Sequence, residues 1–375
     1  RDGLVDQSQE IHLQQGISKN HLWTGGYREV SFWQVIAWCH LKIFGMEENI
    51  KSLSELLQHG MQDVQNAASY RNFKPYKSGI KGLDDLLHNF FAGTLVTIGG
   101  LSGMGKTTFA LNLVNEFAIK QRHPLLFFSL EGTYSLWTNR LISIVCNVST
   151  TALVTGKMIP QEWQILDEFS KIMKDAPIFL EAKKINHIDR LCEVARQAKE
   201  EHGIHIIFID YVQLLNAREG FSDNRYLDLN YITRRLKELA KELEVPIVIL
   251  SQLSRHKTDG EDMEEKRPRL TDLRDSGTIE EDSDMVILLH SPEYFHVYQD
   301  RKGNDLHDIM EISVEKNRYG GLGRCYVKLD AATGLIKDVT DSFVSLDGLK
   351  SANSDGGNNN FTPLPPPAPN GPMPL

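Results

Sequence analysis

The chain has 375 residues, 41% of them apolar, and a formal net charge of −9. That length accommodates one large α/β domain with appendages, and the acidic balance excludes a globally basic nucleic-acid binder while leaving room for basic loops gathered on one face. Cys39, Cys146, Cys192 and Cys325 form no C-x-x-C pair, no apolar run reaches the length of a membrane span and no signal peptide is legible, so reduced thiols in a cytoplasmic or nucleoid-like compartment are expected.

Residues 1–50 carry no readable motif. Loop followed by helix is expected there, with Val30 to Phe44 as a packed helix in which Gln34, His40 and Lys42 interrupt the apolar residues. Residues 51–80 read as a linker helix and turn. From Ser52, a plausible N-cap, to about Arg71, Leu53, Leu56, Leu57, Met61 and Val64 recur at helical spacing. One apolar stripe on such a helix needs a partner surface, supplied either by its own domain or by a neighbouring subunit. A turn-rich stretch around Pro75 and Gly79 then leads to Gly82-Leu-Asp-Asp-Leu-Leu87, at the start of a core assigned to residues 81–340.

Gly100-Leu-Ser-Gly-Met-Gly-Lys-Thr107 fits the phosphate-loop pattern G-x-x-x-x-G-K-[ST]. Its context is right: Thr94 to Gly99 reads as a buried strand, and Phe109 to Gln121 has apolar residues at helical spacing. A nucleoside triphosphate is the expected ligand. Ser102, Gly103, Gly105, Lys106, Thr107 and Thr108 are its candidate contacts, with backbone N–H groups on phosphate oxygens, Lys106 on the β/γ-phosphates and Thr107 on Mg²⁺.

Further apolar strands alternate with helices at Leu125 to Leu130, Ile204 to Asp210, Pro246 to Ser251, Met285 to His290, Glu311 to Glu315 and Cys325 to Leu329. The alternation predicts an α/β fold with a mainly parallel sheet and helices on both faces. The tail, residues 341–375, is rich in Asn, Gly and Pro and is expected to be disordered.

Three strands end in functional side chains. Ile206-Ile-Phe-Ile-Asp210 delivers the second acid that an NTPase needs beside its phosphate loop, so Asp210 is the candidate metal-binding acid. Phe127-Phe-Ser-Leu-Glu131 delivers Glu131, the candidate general base for a water nucleophile. Pro246 to Gln252 ends in a neutral amide suited to sense a γ-phosphate. Two polar loops follow: Leu270-Thr-Asp-Leu-Arg-Asp-Ser-Gly277, whose Arg274 and glycine backbone suit a phosphate, and Val314-Glu-Lys-Asn-Arg-Tyr-Gly-Gly321, whose Lys316 and Arg318 point to one side. Each of these loops alone is also consistent with a solvated charged turn.

Taken in order after GLSGMGKTT, the segments FSLE, IDYVQLL, VPIVILSQLSR, KRPRLTDLRDSGTIEEDSD and VEKNRYGG resemble those of replicative hexameric helicases of the DnaB family, from about Ser52 to Asp338. The resemblance implies a RecA-like fold, a homohexameric ring, and ATP hydrolysis driving 5′ to 3′ translocation on single-stranded DNA. By the same likeness Glu131 is the catalytic base, Arg140 a nucleotide contact, Asp210 the acid and Gln252 the sensor. Arg274, Asp275 and Gly277 become the DNA-backbone loop, and Lys316 and Arg318 the pair offered to ATP in the adjacent subunit. Asp275 stands where Glu is more usual, and Ser291 to His307 is longer than the pattern requires. About 50 residues precede the linker-like helix, too few for the family's complete N-terminal collar, on which primase and loader contacts depend. The alternatives are a RecA- or KaiC-like switch or recombinase, and a noncatalytic ring adaptor holding ATP as structural glue.

Overall fold

A computed structural model describes residues 52–69, 76–182, 185–217, 225–254, 266–300 and 303–339. The expected helix at Val30 to Phe44, Pro75 and the tail lie outside the described residues. The chain divides into two compact units, residues 1–73 and 74–375.

In the first unit, helix α1 (Leu53–Ser69) opens with a reciprocal cap: the Glu55 N–H donates to Ser52 Oγ and the Ser52 N–H donates to Glu55 Oε2 at 2.8 Å. Its apolar stripe, Leu53, Leu56, Leu57, Met61 and Val64, is exposed.

The second unit is built on a nine-stranded sheet in the order β3-β2-β4-β5-β1-β6-β7-β8-β9. Strands β1 (Leu95–Gly100), β2 (Leu125–Ser129), β3 (Ile178–Glu181), β4 (Ile206–Asp210), β5 (Ile247–Gln252) and β6 (Met285–His290) are mutually parallel. Strands β7 (Ile309–Asn317), β8 (Gly323–Leu329) and β9 (Ile336–Asp338) add an antiparallel extension beyond β6.

The central strands are apolar along their whole length because both faces are covered. Successive residues feed opposite cores. Val96, Ile98, Phe127, Phe208, Val248 and Leu250 pack beneath α2 (Lys81–Leu87), α3 (Lys106–Val114) and α4 (Tyr134–Cys146). Leu95, Leu126, Phe128, Ile207, Ile209 and Ile249 pack beneath α7 (Ile188–His202) and α8 (Arg225–Leu243). The rings of Phe127 and Phe208 stack within the first core, 5.8 Å apart and 10° from parallel. Between α4 and β3 run α5 (Thr150–Thr155) and α6 (Pro160–Lys174), and α9 (Gly277–Asp282) precedes β6.

Two expectations need correcting. The helix expected to run to Gln121 changes at Asn115 into a π-helical turn, Asn115–Lys120, and the sheet gains β3 and β9, which are only four and three residues long.

Candidate functional site

Because β1, β2, β4 and β5 are parallel, their carboxyl ends lie along one edge, where a cleft of about 650 Å³ opens. The phosphate loop leaves β1 at this edge and becomes α3. Gly105, the N-cap of α3, has φ +85°, and Gly103 has φ +80°, both left-handed. A Cβ on Gly105 would sit 2.9 Å from Met310 Cε. The first N–H groups of α3 have no intrahelical acceptor and form the positive end of its dipole, so the cradle suits an anion.

Lys106 Nζ donates to the carbonyl oxygens of Gly100 and Leu101 at 2.9 and 3.0 Å. Burial pushes its ammonium below the ordinary lysine range, while the carboxylates of Asp210 and Glu131 pull the other way. Thr107 Oγ1 donates to Asp210 Oδ2 at 2.7 Å. Asp210 closes β4 and is buried; burial lifts its carboxyl above the usual range, against the hydrogen bond from Thr107, and the charge of Glu131 adds to the rise. A desolvated carboxylate beside a hydroxyl is a hard-oxygen pair of the kind that suits Mg²⁺. Among the described residues no cluster of three acidic, His or Cys groups forms an all-protein cage.

Glu131, two residues beyond β2, Arg140 on α4 and Gln252 at the end of β5 line the same cleft, together with Ser102 and Thr108. The sequence motifs therefore converge in space. The structure adds residues that they did not reveal. Gln213 holds the end of β5: its Nε2 donates to Ser251 Oγ at 2.9 Å and to the Gln252 carbonyl at 3.0 Å, and its Oε1 accepts the Gln252 N–H at 3.2 Å. Ala331, Thr333 and Gly334 form a far wall, folded by the Asp330 side chain, which accepts the N–H groups of Ala332 and Thr333 at 2.9 and 3.3 Å. Asn112 on α3 docks this turn by donating to the Gly334 carbonyl at 2.8 Å.

Lys316 and Arg318 lie elsewhere. Strand β7 is antiparallel to β6 and Asn317 pairs with Met285, so this pair sits at the amino edge of the parallel sheet, opposite the cleft. A strand the length of β6 separates the two edges by roughly 20 Å. Both side chains turn to one side, as expected: Lys316 Nζ donates to the Glu280 and Glu281 carbonyls at 2.6 and 3.3 Å, and Arg318 Nη1 to Asp284 Oδ1 at 3.3 Å. Arg274 and Asp275 lie on the 3₁₀ turn Leu270–Ser276, and Gly277 opens α9. Ser291, at the start of the long stretch to His307, lies beside the phosphate loop, its N–H donating to Met104 Sδ at 3.2 Å.

Residues 76–337 match the family described as DnaB-like helicase C-terminal domain. A probable replicative DNA helicase of Trieres chinensis is 34% identical over 267 residues, covering 70% of this chain and 58% of that protein. The replicative DNA helicase DnaB of Geobacillus stearothermophilus is 33% identical over 246 residues, covering 66% and 52%. Among solved structures, one of an isolated ATPase domain superposes with a TM-score of 0.69 at 26% identity, over 78% of this chain and all of that one. A DnaB-like replicative helicase, studied for its interactions with primase, gives 0.66 at 25% identity over 82% and 72%. The chain spans between half and three-fifths of the length of these curated relatives. With the family match covering well over half of its residues, the chain belongs to the DnaB-like helicase C-terminal domain family and carries its RecA-like fold.

Proposed function

We propose that this protein is an ATP-driven helicase that acts in DNA replication as a homohexameric ring, translocating 5′ to 3′ on single-stranded DNA in the cytoplasm. The observation that carries the reading is the pairing of the phosphate-loop cleft at the carboxyl edge with one pair of cations at the opposite edge of the same sheet. The DnaB helicase names of its relatives and its family membership support it.

In this reading the N–H groups of Ser102, Gly103 and Gly105 through Thr108 cradle the phosphates of ATP, Lys106 leaves its two carbonyls for the β/γ-phosphates, and Arg140 contacts the nucleotide. Thr107 and Asp210 would hold Mg²⁺, which would supply positive charge to the phosphate oxygens. Glu131 takes a proton from water as its oxygen bonds to the γ-phosphorus and the bond to ADP breaks. Gln252, fixed through its backbone by Gln213, senses the γ-phosphate. Lys316 and Arg318 of each subunit meet the charge that develops on a neighbour's γ-phosphate, a distance of one sheet width placing them out of reach of their own. Arg274, Asp275 and Gly277 contact the DNA backbone, and the exposed stripe of α1 docks on a neighbouring subunit. A primase or a helicase loader is a further partner.

The test is ATP hydrolysis with and without single-stranded DNA on a sample whose mass is followed by light scattering. Hydrolysis that rises with DNA in the assembled form is expected. An assembled sample that hydrolyses ATP at one rate whether or not any single strand is present overturns the reading.

A further inference from the structure

The amino edge of the sheet contains a carboxylate that none of the sequence motifs assigns. Asp284, the residue before β6, is 1% exposed. Its Oδ2 accepts the N–H of Leu95, the first residue of β1, at 2.8 Å and also binds Lys237 Nζ from α8. One anion is thus already matched by one partly buried cation, and its position is fixed by the backbone of the central strand. Its other oxygen faces outward to Arg318 Nη1, and its carbonyl accepts the Arg318 N–H at 3.0 Å. The guanidinium itself is half-exposed. Neutralising Asp284 does not require Arg318, whereas the solvent-facing guanidinium has Asp284 as its charged anchor, beside a longer contact of 3.5 Å from its Nη2 to the Glu281 carbonyl, and without that anchor a long side chain spreads over many rotamers.

We propose that Asp284 is the positioning residue for Arg318, presenting its guanidinium to the neighbouring subunit's nucleotide. The proposal rests on the reading of Arg318 as acting in trans. The seat around it has a second arm. Lys316 donates to the last carbonyls of α9, groups that a helix leaves without intrahelical partners and that favour a cation. α9 begins at Gly277 in the loop assigned to DNA and is six residues long, about 9 Å at 1.5 Å per residue. Its far end is pinned, with Thr233 Oγ1 donating to Asp282 Oδ2 at 2.5 Å and the Ser283 and Thr97 hydroxyls 2.7 Å apart. The loop assigned to DNA and the seat of Lys316 and Arg318 therefore lie at the two ends of one short helix whose far end is held in place.

The experiment compares Asp284→Asn with Arg318→Ala, each alone and mixed with Lys106→Ala after subunit exchange has been verified. A misaimed arginine forfeits part of a contribution of about 10³–10⁵ in rate. Asp284→Asn is expected to bind ATP with parental affinity, to keep its KM, and to lose at least about ten-fold in kcat. Mixing with Lys106→Ala is expected to restore hydrolysis at interfaces that join the intact phosphate loop of the first variant to the well-held Arg318 of the second. The double variant Asp284→Asn/Arg318→Ala is expected to be no slower than Arg318→Ala, since both remove one action. A merely structural Asp284 would damage its own chain's site, and mixing would not restore it. Recovery for Arg318→Ala but none for Asp284→Asn, or parental kcat in Asp284→Asn, overturns the positioning role alone. Failure of Arg318→Ala itself to recover overturns the trans reading beneath it. Should Asp284→Asn not fold, Asp284→Glu keeps the charge, moves the acceptor by one methylene and carries the same expectations.

Discussion

Replacing Gly105 by alanine tests the geometry of the phosphate cradle. Its φ of +85° places it in the left-handed region, where a side chain costs roughly 1–2 kcal/mol. The new Cβ would also lie 2.9 Å from Met310 Cε, but that atom is the free end of a flexible chain and gives way at small cost. For a domain of this size each kcal/mol lowers Tm by about 2–4 °C, so Gly105→Ala should melt roughly 2–8 °C below the parent without nucleotide. Should the loop instead relax to negative φ, stability returns but the N–H groups leading into α3 turn away from the anion. Loss therefore appears in Tm, in ATP affinity, or in both. Gly103→Ala separates the two causes, because its φ is +80° while its Cβ would meet Tyr294 only at an ordinary 3.5 Å. Asparagine, which tolerates the left-handed region, should cost less than alanine at Gly103. Thermal unfolding by circular dichroism and equilibrium titration with a fluorescent ATP analogue read the two quantities. A Gly105→Ala protein with parental Tm and parental ATP affinity refutes the view that the left-handed N-cap aims the loop's donors.

Lys106→Ala removes an ammonium whose pKa burial has already lowered, so nucleotide-free Tm should hold or rise while ATP affinity falls roughly ten- to hundred-fold, the worth of a charge-assisted contact; scanning calorimetry checks the first and calorimetric titration the second. Glu131→Gln should retain ATP yet hydrolyse it about 10²–10⁴-fold more slowly, and a parental rate in single-turnover assays removes it as the base. Asp210→Asn should abolish hydrolysis and stabilise the nucleotide-free fold. With the folded carboxyl held above its unfolded value by burial, the parent's stability declines as pH rises from about 4 through the raised value, so the variant's advantage in denaturant unfolding should grow over that window and then level off. Arg274→Ala should weaken binding to every single strand alike and flatten the plot of log affinity against log salt by about 0.7; a loss confined to one DNA sequence contradicts a backbone contact.

The parallel core was legible in the sequence because strands buried on both faces leave uninterrupted apolar runs, as in Ile206 to Ile209, and because β2, β4 and β5 end at Ser129, Asp210 and Gln252, which line the cleft. Strand β3 was not, since it is four half-buried residues at the sheet's edge ending in Glu181. The π-helical turn was hidden too: Phe117, Ala118 and Ile119 are buried there as they would be in an α-helix. Glu131, Asp210 and Gln252 were found from their places at strand ends. Asp284 was missed because it stands in the run Glu280-Glu-Asp-Ser-Asp284, where acidic neighbours suggest solvent and only tertiary structure brings Lys237 and Leu95 to it. The wall at Ala331 to Gly334 gave only a turn signal, and nothing in the sequence says that Asn112 draws that turn onto the nucleotide side.

The sheet has a site along one margin and cations along the other, so identical copies can satisfy both only by stacking head to tail. Such a contact uses two different patches of each copy and has no built-in end. On the trans reading, an open row of n copies holds n − 1 complete sites, and closing it into a ring supplies the missing one without adding a chain. Turnover per chain then depends on the number of joints rather than the number of nucleotides bound. Dilution that opens the ring silences one site before any subunit is lost, and a strand entering through that opening finds the motor with one cylinder idle.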